Sequence, residues 1–567
     1  MDPDANPQVL ADSIVVTQGD AWISVPPEQQ ASNQRRGHSV SCLVGGPEYF
    51  EAIENEITSI LESTADGRFF YMSAWWLGLA DVDADITVDP DVFGADFLKN
   101  FTDAAEPWIK KIEVPVPGFS FSSGQKLLDG LVAMSQADVD VRVLSWVSPF
   151  APKYKQVADR SEGITLLNLH TLLSTKKLRD DLGKQADHVM LNMLAHPLGG
   201  AHLKVVICGD NTSMRAYTGG MDPVVNRLDN TWEDAAVCVQ GPAADATYRF
   251  FAQLWEEQRR RNPESFKLNG QVILSNLPTT PDVPQRPPFP EQDQTGPAVV
   301  QVLRTVPVMN FSVTGPEWLG PNMLQRALLV NTMGFKKDPL SFAPKGIFEF
   351  AVALRKLISV ARQYIFITDQ AFSGQEIMGW LSKRLTDGSG VKIILLHGPD
   401  PSDPPSGSMQ EAVNSYLLKG AEKAEESTSG YLNLAYYLWQ DTVAHSKVCI
   451  VDDKACVIGS ANPGMRRSLF TDIEHSVSIV DLTGESQVKL LRRKLWARCC
   501  GVNASEVPDR VEHALYIWNP VAWNPDAVAE PLKLLEEIQP YPLPIVQAQG
   551  YDPDKYAQQD PDSRQQF

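Results

Sequence analysis

The chain is short of cysteine, of long apolar runs and of positive charge, and each shortage closes off a class of protein. Seven cysteines in 567 residues, an odd number with no CxxC among them, give no disulfide framework, and the thiols read as free and buried in a reducing compartment. No apolar run reaches the ~18 residues needed to cross a bilayer. The chain begins Met1-Asp2-Pro3-Asp4, without the basic stretch and apolar core of a secretory signal. The expected location is therefore cytoplasmic or peripheral to a membrane, although export by a dedicated machine would leave the sequence unchanged. A formal net charge of −20 argues against a nucleic-acid backbone as the main partner, because that binding rests on clustered Lys and Arg. A local basic pocket remains compatible with it.

What is present is an ordinary globular composition, 43% hydrophobic and 21% charged, in a chain long enough for several domains. Leu277 to Gly296 carries Pro278, Pro281, Pro284, Pro287, Pro288 and Pro290, a density that neither helix nor strand tolerates. The expected division is an irregular segment 1–35, a first half 36–276, this linker 277–296, a second half 297–548 and a disordered tail 549–567. The halves echo each other. Each opens with an amphipathic helix, Phe50, Ile53, Ile57, Ile60 and Leu61 in one, and Ile347, Phe350, Ala351, Leu354, Leu357 and Ile358 in the other. Each continues into an apolar strand (Phe69 to Trp76; Tyr364 to Gln370), a helix opened by glycine (from Gly124; from Gly374) and a second buried strand (Val139 to Leu144; Val391 to Leu396). Strand–helix–strand alternation predicts a duplicated α/β layer structure.

Late in each half stands the same pair. His445-Ser446-Lys447 is followed by Asp452 and Gly459-Ser460-Ala461-Asn462; His202-Leu203-Lys204 is followed by Gly219-Gly220-Met221-Asp222. On a strand, residues two apart share a face. Histidine serves as nucleophile or acid near neutral pH, lysine supplies charge for an oxyanion, and Asn or Gly-turn amides supply neutral donors. That inventory suits metal-free cleavage of a phosphodiester. A lone HxK is most simply a solvent-facing pair; two in matching places of a duplication favour function. Val448 to Ile458 reads as a hairpin that returns Ser460 and Asn462 toward His445. The first copy departs from the second: Gly209 stands where Asp452 would, aspartate comes one later at Asp210, and Gly219 lies further from His202 than Gly459 does from His445. A longer hairpin with Asp210-Asn211 at its tip explains both.

These residues resemble the phospholipase D superfamily in its two-motif form. The resemblance extends to Gly219-Gly220-Met221-Asp222 with Arg227 and Asp229, Trp232-Glu233-Asp234 with Gly241-Pro242, Gln301 to Thr305, Ile365 to Gln370, and Asn462 to Ser468 with Asp472 and Glu474. Leu495-Trp496 and Tyr541-Pro542 have counterparts in eukaryotic-type members. It covers most of residues 40–545. It implies two α/β/α sandwich domains with mixed sheets, related by a pseudo-two-fold, and one active site at their interface. It also implies a phosphohistidine intermediate, with His202 as nucleophile and His445 as acid and base. Lys204 and Lys447 would hold the phosphoryl oxygens with help from Asn462, and Asp234 and Glu474 would orient the histidines. Gly219, Gly220, Asp222, Ser460 and Trp76 are expected to line the substrate, with Asp210 and Asp452 as turn supports. No metal and no cofactor is implied. His188 and His196 show no ligand geometry with His202. The expected reaction is removal of a glycerophospholipid headgroup, at a membrane surface, to water or an alcohol, by a monomer. A nuclease on the same scaffold and an inactive binding protein are the competing readings.

Overall fold

The computed structural model describes residues 7–17, 35–79, 124–147, 161–194, 199–224, 227, 232–261, 265–268, 271–285, 296–307, 339–398, 417, 433–440, 442–519 and 532–540. Asp229, His196, Tyr541 and the tail from 549 lie outside the described residues.

Two mixed sheets organise the molecule. The first runs Ser39–Val44, Ala235–Gln240, Met214–Gly219, Val205–Gly209, Phe69–Ala74, Asp140–Trp146 and Val189–Asn192. The second contains, in the same sense, Gly296–Val306, Glu474–Val480, Ala455–Gly459, Val448–Val451, Tyr364–Asp369, Lys392–His397 and Leu434–Trp439. It is widened by Arg35–Gly37 and Ile538–Pro540 at its edges and by Ile347–Phe348 beside Gly296–Val306. Strand order and direction agree position for position. Phe69–Ala74 and Tyr364–Asp369 are each parallel to the strand after them and antiparallel to a motif hairpin. Both are buried along their full length, as central strands covered on two faces must be.

Helices cover each face, which makes each half an α/β/α sandwich. Gly46–Glu62 starts on Pro47 in its first turn and buries Phe50, Ile53, Ile57 and Ile60; with Gln125–Gln136 it covers one face of the first sheet. Glu349–Val360 and Gln375–Thr386 do the same for the second. The helix after the last shared strand of each half faces both ways. Pro242–Arg260 packs under the first sheet and reaches Gly296–Val306 of the second, while Gln487–Cys500 packs under the second sheet and reaches Ser39–Val44 of the first. The halves thus meet through reciprocal elements.

One expectation needs correction. The segment 1–35 holds a helix, Pro7–Ile14, whose Leu10, Ala11 and Ile14 are buried against Glu349–Val360 of the second half. Gln301 fixes its end by bonding both backbone groups of Val16. Its apolar spacing is too short to stand out from a polar stretch. The first part of the proline-rich seam has neither helix nor strand, but it is bound to the first half. The Pro281 carbonyl accepts from Arg142 and Trp255 at 2.9 Å each, and the Pro284 carbonyl accepts from Tyr248.

Candidate active site

The two HxK triplets do not lie in their own sheets. Each sits in extended chain just before a hairpin strand, and its backbone bonds across to the other half. Ala201 bridges Ile473: the His202 N–H donates to the Ile473 carbonyl at 2.9 Å, and the Ile473 N–H donates to Gly200 at 2.8 Å. Val443–Ala444 pairs with Trp232–Glu233, and the N–H groups of His445 and Ser446 both donate to the Glu233 carbonyl, at 2.7 and 3.1 Å. In each bridge the next residue of one chain segment is a histidine and of the other a carboxylate. His202 Nδ1 therefore meets Glu474 Oε1 at 3.0 Å, and His445 Nδ1 meets Asp234 Oδ2 at 2.7 Å. Each imidazole takes its acid from the opposite half.

The lysines are placed alike. Lys204 Nζ donates to the carbonyl of His202 at 3.0 Å, and Lys447 Nζ to that of His445 at 2.6 Å. Lys204 also pairs with Asp222 Oδ2 at 3.3 Å. Around Lys447 the acid comes from another element, Asp369 at the end of Tyr364–Asp369, which also accepts from Asn462 Nδ2 and, at 2.6 Å, from the Gly464 N–H. Where the first half has Asp222 the second has Asn462, and where the second has Asp369 the first has Ala74. Each lysine thus has one carboxylate with no counterpart at the matching position of the other half, in addition to Glu474 beside Lys204 and Asp234 beside Lys447.

Burial governs the protonation of the group. It pushes Asp234 up to about 7, against the pull of Lys447 and Arg227. It pushes Glu474 up to about 8, with Asp472 adding to the rise. It holds both imidazoles well below their ordinary value, reinforced by Lys204, Arg467 and Lys447 around His202 and by Arg227 and Lys447 around His445. Lys447 falls to about 8 and Lys204 is lowered, again chiefly by burial. Burial thus opposes charge on both members of each pair, and an anion beside an imidazole would favour its charged form.

His202, Lys204, His445, Lys447, Asp234, Glu474 and Asn462 are all buried and lie within this one group. The turn residues cradle the acids. An added Cβ on Gly220 would lie 2.1 Å from Asp234 Oδ1, whereas its counterpart Ser460 donates Oγ to Glu474 Oε2 at 2.5 Å. Ser460 is thus returned to the acid that serves His202, not to His445. Gly219 is pressed against Ala235 and Ala236, with no room for a side chain. Asp222 does not face substrate: Oδ1 accepts from the N–H groups of Trp75 and Trp76 at 3.0 Å each, and Oδ2 meets Lys204. Trp76 turns away from the site and donates Nε1 to His170 at 3.0 Å in the core. Trp75 takes its place, its ring edge on His202 at 5.4 Å, stacked on Trp146 at 5.7 Å and 5.3 Å from Lys204 Nζ. The chain bends after Ala74, so the two adjacent tryptophans part, Trp75 to His202 and Trp76 to His170.

Sequence reasoning gave no role to Ser468, Asp472, Asp369 or Arg227. Ser468 donates to Glu474 Oε1 at 2.7 Å, and Asp472 binds the Gly200 N–H and Arg467. Arg227 reaches His445 Nε2 at 3.3 Å. All four belong to the segments quoted for the resemblance, which was the available signal. His202, Asp472 and Glu474 are the described residues whose ligand atoms cluster as a metal would require, within 4.8 Å. Their oxygens are already taken by Ser460, Ser468, Gly200 and Arg467.

Among the described residues no helix is long and apolar enough to cross a membrane. No curated protein matches the chain in sequence. Among solved structures it is similar to phosphatidylserine synthase of Haemophilus influenzae Rd KW20, at 14% identity and a TM-score of 0.43, over 81% of this chain and 85% of that one. It is also similar to polyphosphate kinase of Porphyromonas gingivalis, at 12% identity and a TM-score of 0.37, over 88% of this chain and 56% of that one. Residues 354–492, which include His445, Lys447, Asn462 and Glu474, match the profile of the family described as cardiolipin synthase, PLD-like domain. The second half of the chain therefore carries a phospholipase D-like domain.

Proposed function

We propose that the protein is a phospholipase D-type enzyme that breaks the headgroup phosphodiester of glycerophospholipids through a phosphohistidine intermediate. One observation carries the reading: each histidine has Nδ1 on a buried carboxylate of the opposite half, which leaves Nε2 as the reactive nitrogen, with a lysine beside each. One imidazole attacks phosphorus while the other protonates the departing headgroup oxygen; the second then takes a proton from the acceptor that displaces the first. The lysines stabilise charge on the non-bridging oxygens. Water as acceptor gives phosphatidate, and an alcohol gives an exchanged phospholipid. The family description names a synthase, which supports alcohol transfer beside hydrolysis.

The test is headgroup release from vesicles of phosphatidylcholine, phosphatidylethanolamine, phosphatidylserine or phosphatidylglycerol, with and without ethanol. Release, or phosphatidylethanol formation, is expected with the unaltered protein, and a fall of about 10³-fold or more with His445→Ala. No His445-dependent product from any lipid would refute the proposal. Chelator-insensitive cleavage of DNA or RNA instead would establish the nuclease reading.

A further inference from the structure

The acids that orient the two histidines are followed by different residues, Asp234 by Ala235 and Glu474 by His475. The positions match: the Gly220 and Ser460 N–H groups donate to the Ala235 and His475 carbonyls, at 3.1 and 2.9 Å. We propose that His475 is a positioning residue. Bound to two threonines of the first half, it holds Glu474, and through Glu474 the imidazole of His202, in the geometry that the reaction needs. The assignment rests on the diester-cleaving reading above.

His475 is buried, and as the next residue of an extended strand it points to the opposite face from Glu474. That face meets the first half. Nδ1 lies 3.0 Å from Thr218 Oγ1 on Met214–Gly219, and Nε2 lies 3.0 Å from Thr247 Oγ1 on Pro242–Arg260. The ring is stacked on Phe250 at 6.3 Å. Thr218 gives its one hydroxyl hydrogen to the His475 carbonyl at 3.2 Å, so Nδ1 carries the ring proton and donates to Thr218. Nε2 is left as the acceptor for Thr247, whose hydroxyl also reaches the Ala243 carbonyl at 2.9 Å. A ring engaged at both nitrogens by two separate elements cannot turn, and neither can the strand end that carries it.

The backbone of His475 passes this constraint to the acid. Its N–H donates to Ser460 Oγ at 3.1 Å, and Ser460 Oγ donates to Glu474 Oε2 at 2.5 Å, which leaves Oε1 to meet His202 Nδ1 at 3.0 Å. Ala235 has no side chain with which to reach across, and there Gly219 is pressed directly on Ala235 and Ala236. Burial, with Arg304 adding to it, holds His475 down at about 3, so the ring does not titrate in assays near neutral pH. The titratable and charged groups that face His202 are Glu474, Lys204, Lys447, Arg467 and His445. With Glu474 displaced, the imidazolium of His202 would keep the cations and lose its carboxylate, so it would form only at lower pH.

The test is headgroup release by the full-length protein from the same lipid vesicles, read as kcat, KM and the pH profile of kcat/KM. His475→Phe fills the site and removes both ring bonds. Its kcat should fall about 10- to 100-fold with KM within about twofold, the mark of a misplaced catalytic group. One limb of its pH profile should move to lower pH, and Glu474→Gln should move the same limb the same way. Thr218→Val and Thr247→Val each remove one bond from the first half and should lower kcat about 2- to 10-fold. His475→Gln, which can keep one of the two bonds, should lose less than His475→Phe. In a Glu474→Gln background the further loss from His475→Phe should stay under about twofold, because His475 acts through Glu474. Thermal unfolding identifies a His475→Phe protein that does not fold, and the two threonine variants then carry the same comparisons. Unchanged kcat and pH limb in the folded variants, or losses that add in full to that of Glu474→Gln, would overturn the assignment. No turnover of any lipid by the unaltered protein would instead remove the reading on which it rests.

Discussion

Asp452 accepts three backbone N–H groups, from Arg362, Gln363 and Tyr364, at 2.7, 2.8 and 2.9 Å. It sits with Asp453 at φ 56° and 58°, a left-handed two-residue turn that Asp tolerates better than most residues. The side chain thus clamps the entry to Tyr364–Asp369, the strand that ends at the Lys447 carboxylate. Asp210 does something smaller. Its Oδ1 accepts from Thr212 and Ser213 within its own turn, and the entry to Phe69–Ala74 is tied by the Asn211 N–H donating to Asp66 at 3.2 Å. The offset of the first aspartate is plain in the sequence, but what each carboxylate binds is not, since the Asp452 partners lie about ninety positions away. Asp452→Ala should therefore cost about 1–3 kcal/mol, as three backbone donors, that of Tyr364 buried, lose their acceptor, and Asp210→Ala under about 1 kcal/mol. Urea denaturation of the two variants measures the difference; equal losses would mean that the clamp contributes little.

The parallel bridge between Ala201 and Ile473 and the pairing of Val443–Ala444 with Trp232–Glu233 decide which carboxylate each histidine meets. Neither was legible in the sequence, because nothing local links residues so far apart. The hairpins, the opening helices and the order of the duplicated strands were legible, since period, turn residues and proline density are local properties. Local reading failed where HxK was taken for strand although its hydrogen bonds run to the other half. The first bridge depends on Gly199, where an added Cβ would lie 2.1 Å from the Thr471 carbonyl. Gly199→Val should force Ile473 away from Gly200 and separate Glu474 from His202, while the Trp232–Glu233 pairing stays intact. We expect a fall in kcat of about 10²-fold or more, since an unoriented imidazole loses most of its acid–base contribution. The unfolding midpoint should fall by only the few degrees of a surface-proximal overpacking. A variant with full headgroup release would show that the bridge does not set the histidine.

The contact between halves is too extensive and too buried for them to behave as beads on a string. One apolar core joins Val40, Cys42, Val44, Ala235 and Val237 of the first sheet to Phe366, Ile450, Leu495, Trp496 and Trp518 of the second half. Buried polar bonds cross the same boundary. Thr218 Oγ1 donates to the His475 carbonyl at 3.2 Å, and the Cys42 N–H donates to Gln487 Oε1 at 3.2 Å. Opening the boundary would leave these groups unsatisfied in addition to exposing the shared core. An active site divided between the halves requires this rigidity, because each histidine is oriented from the other side. A chain of this length would ordinarily unfold in stages. Here the two sheets should unfold in one transition, and damage on one side should be felt on the other. Trp496→Ala removes a fully buried ring from the shared core and should cost about 3–5 kcal/mol. Hydrogen exchange should then speed up not only in Gln487–Cys500 but also at the Cys42 amide and along Ser39–Val44, which lie in the first sheet. Calorimetry that resolves two transitions, or faster exchange confined to the second half, would show that the halves are energetically separate and that the composite site is assembled only by docking.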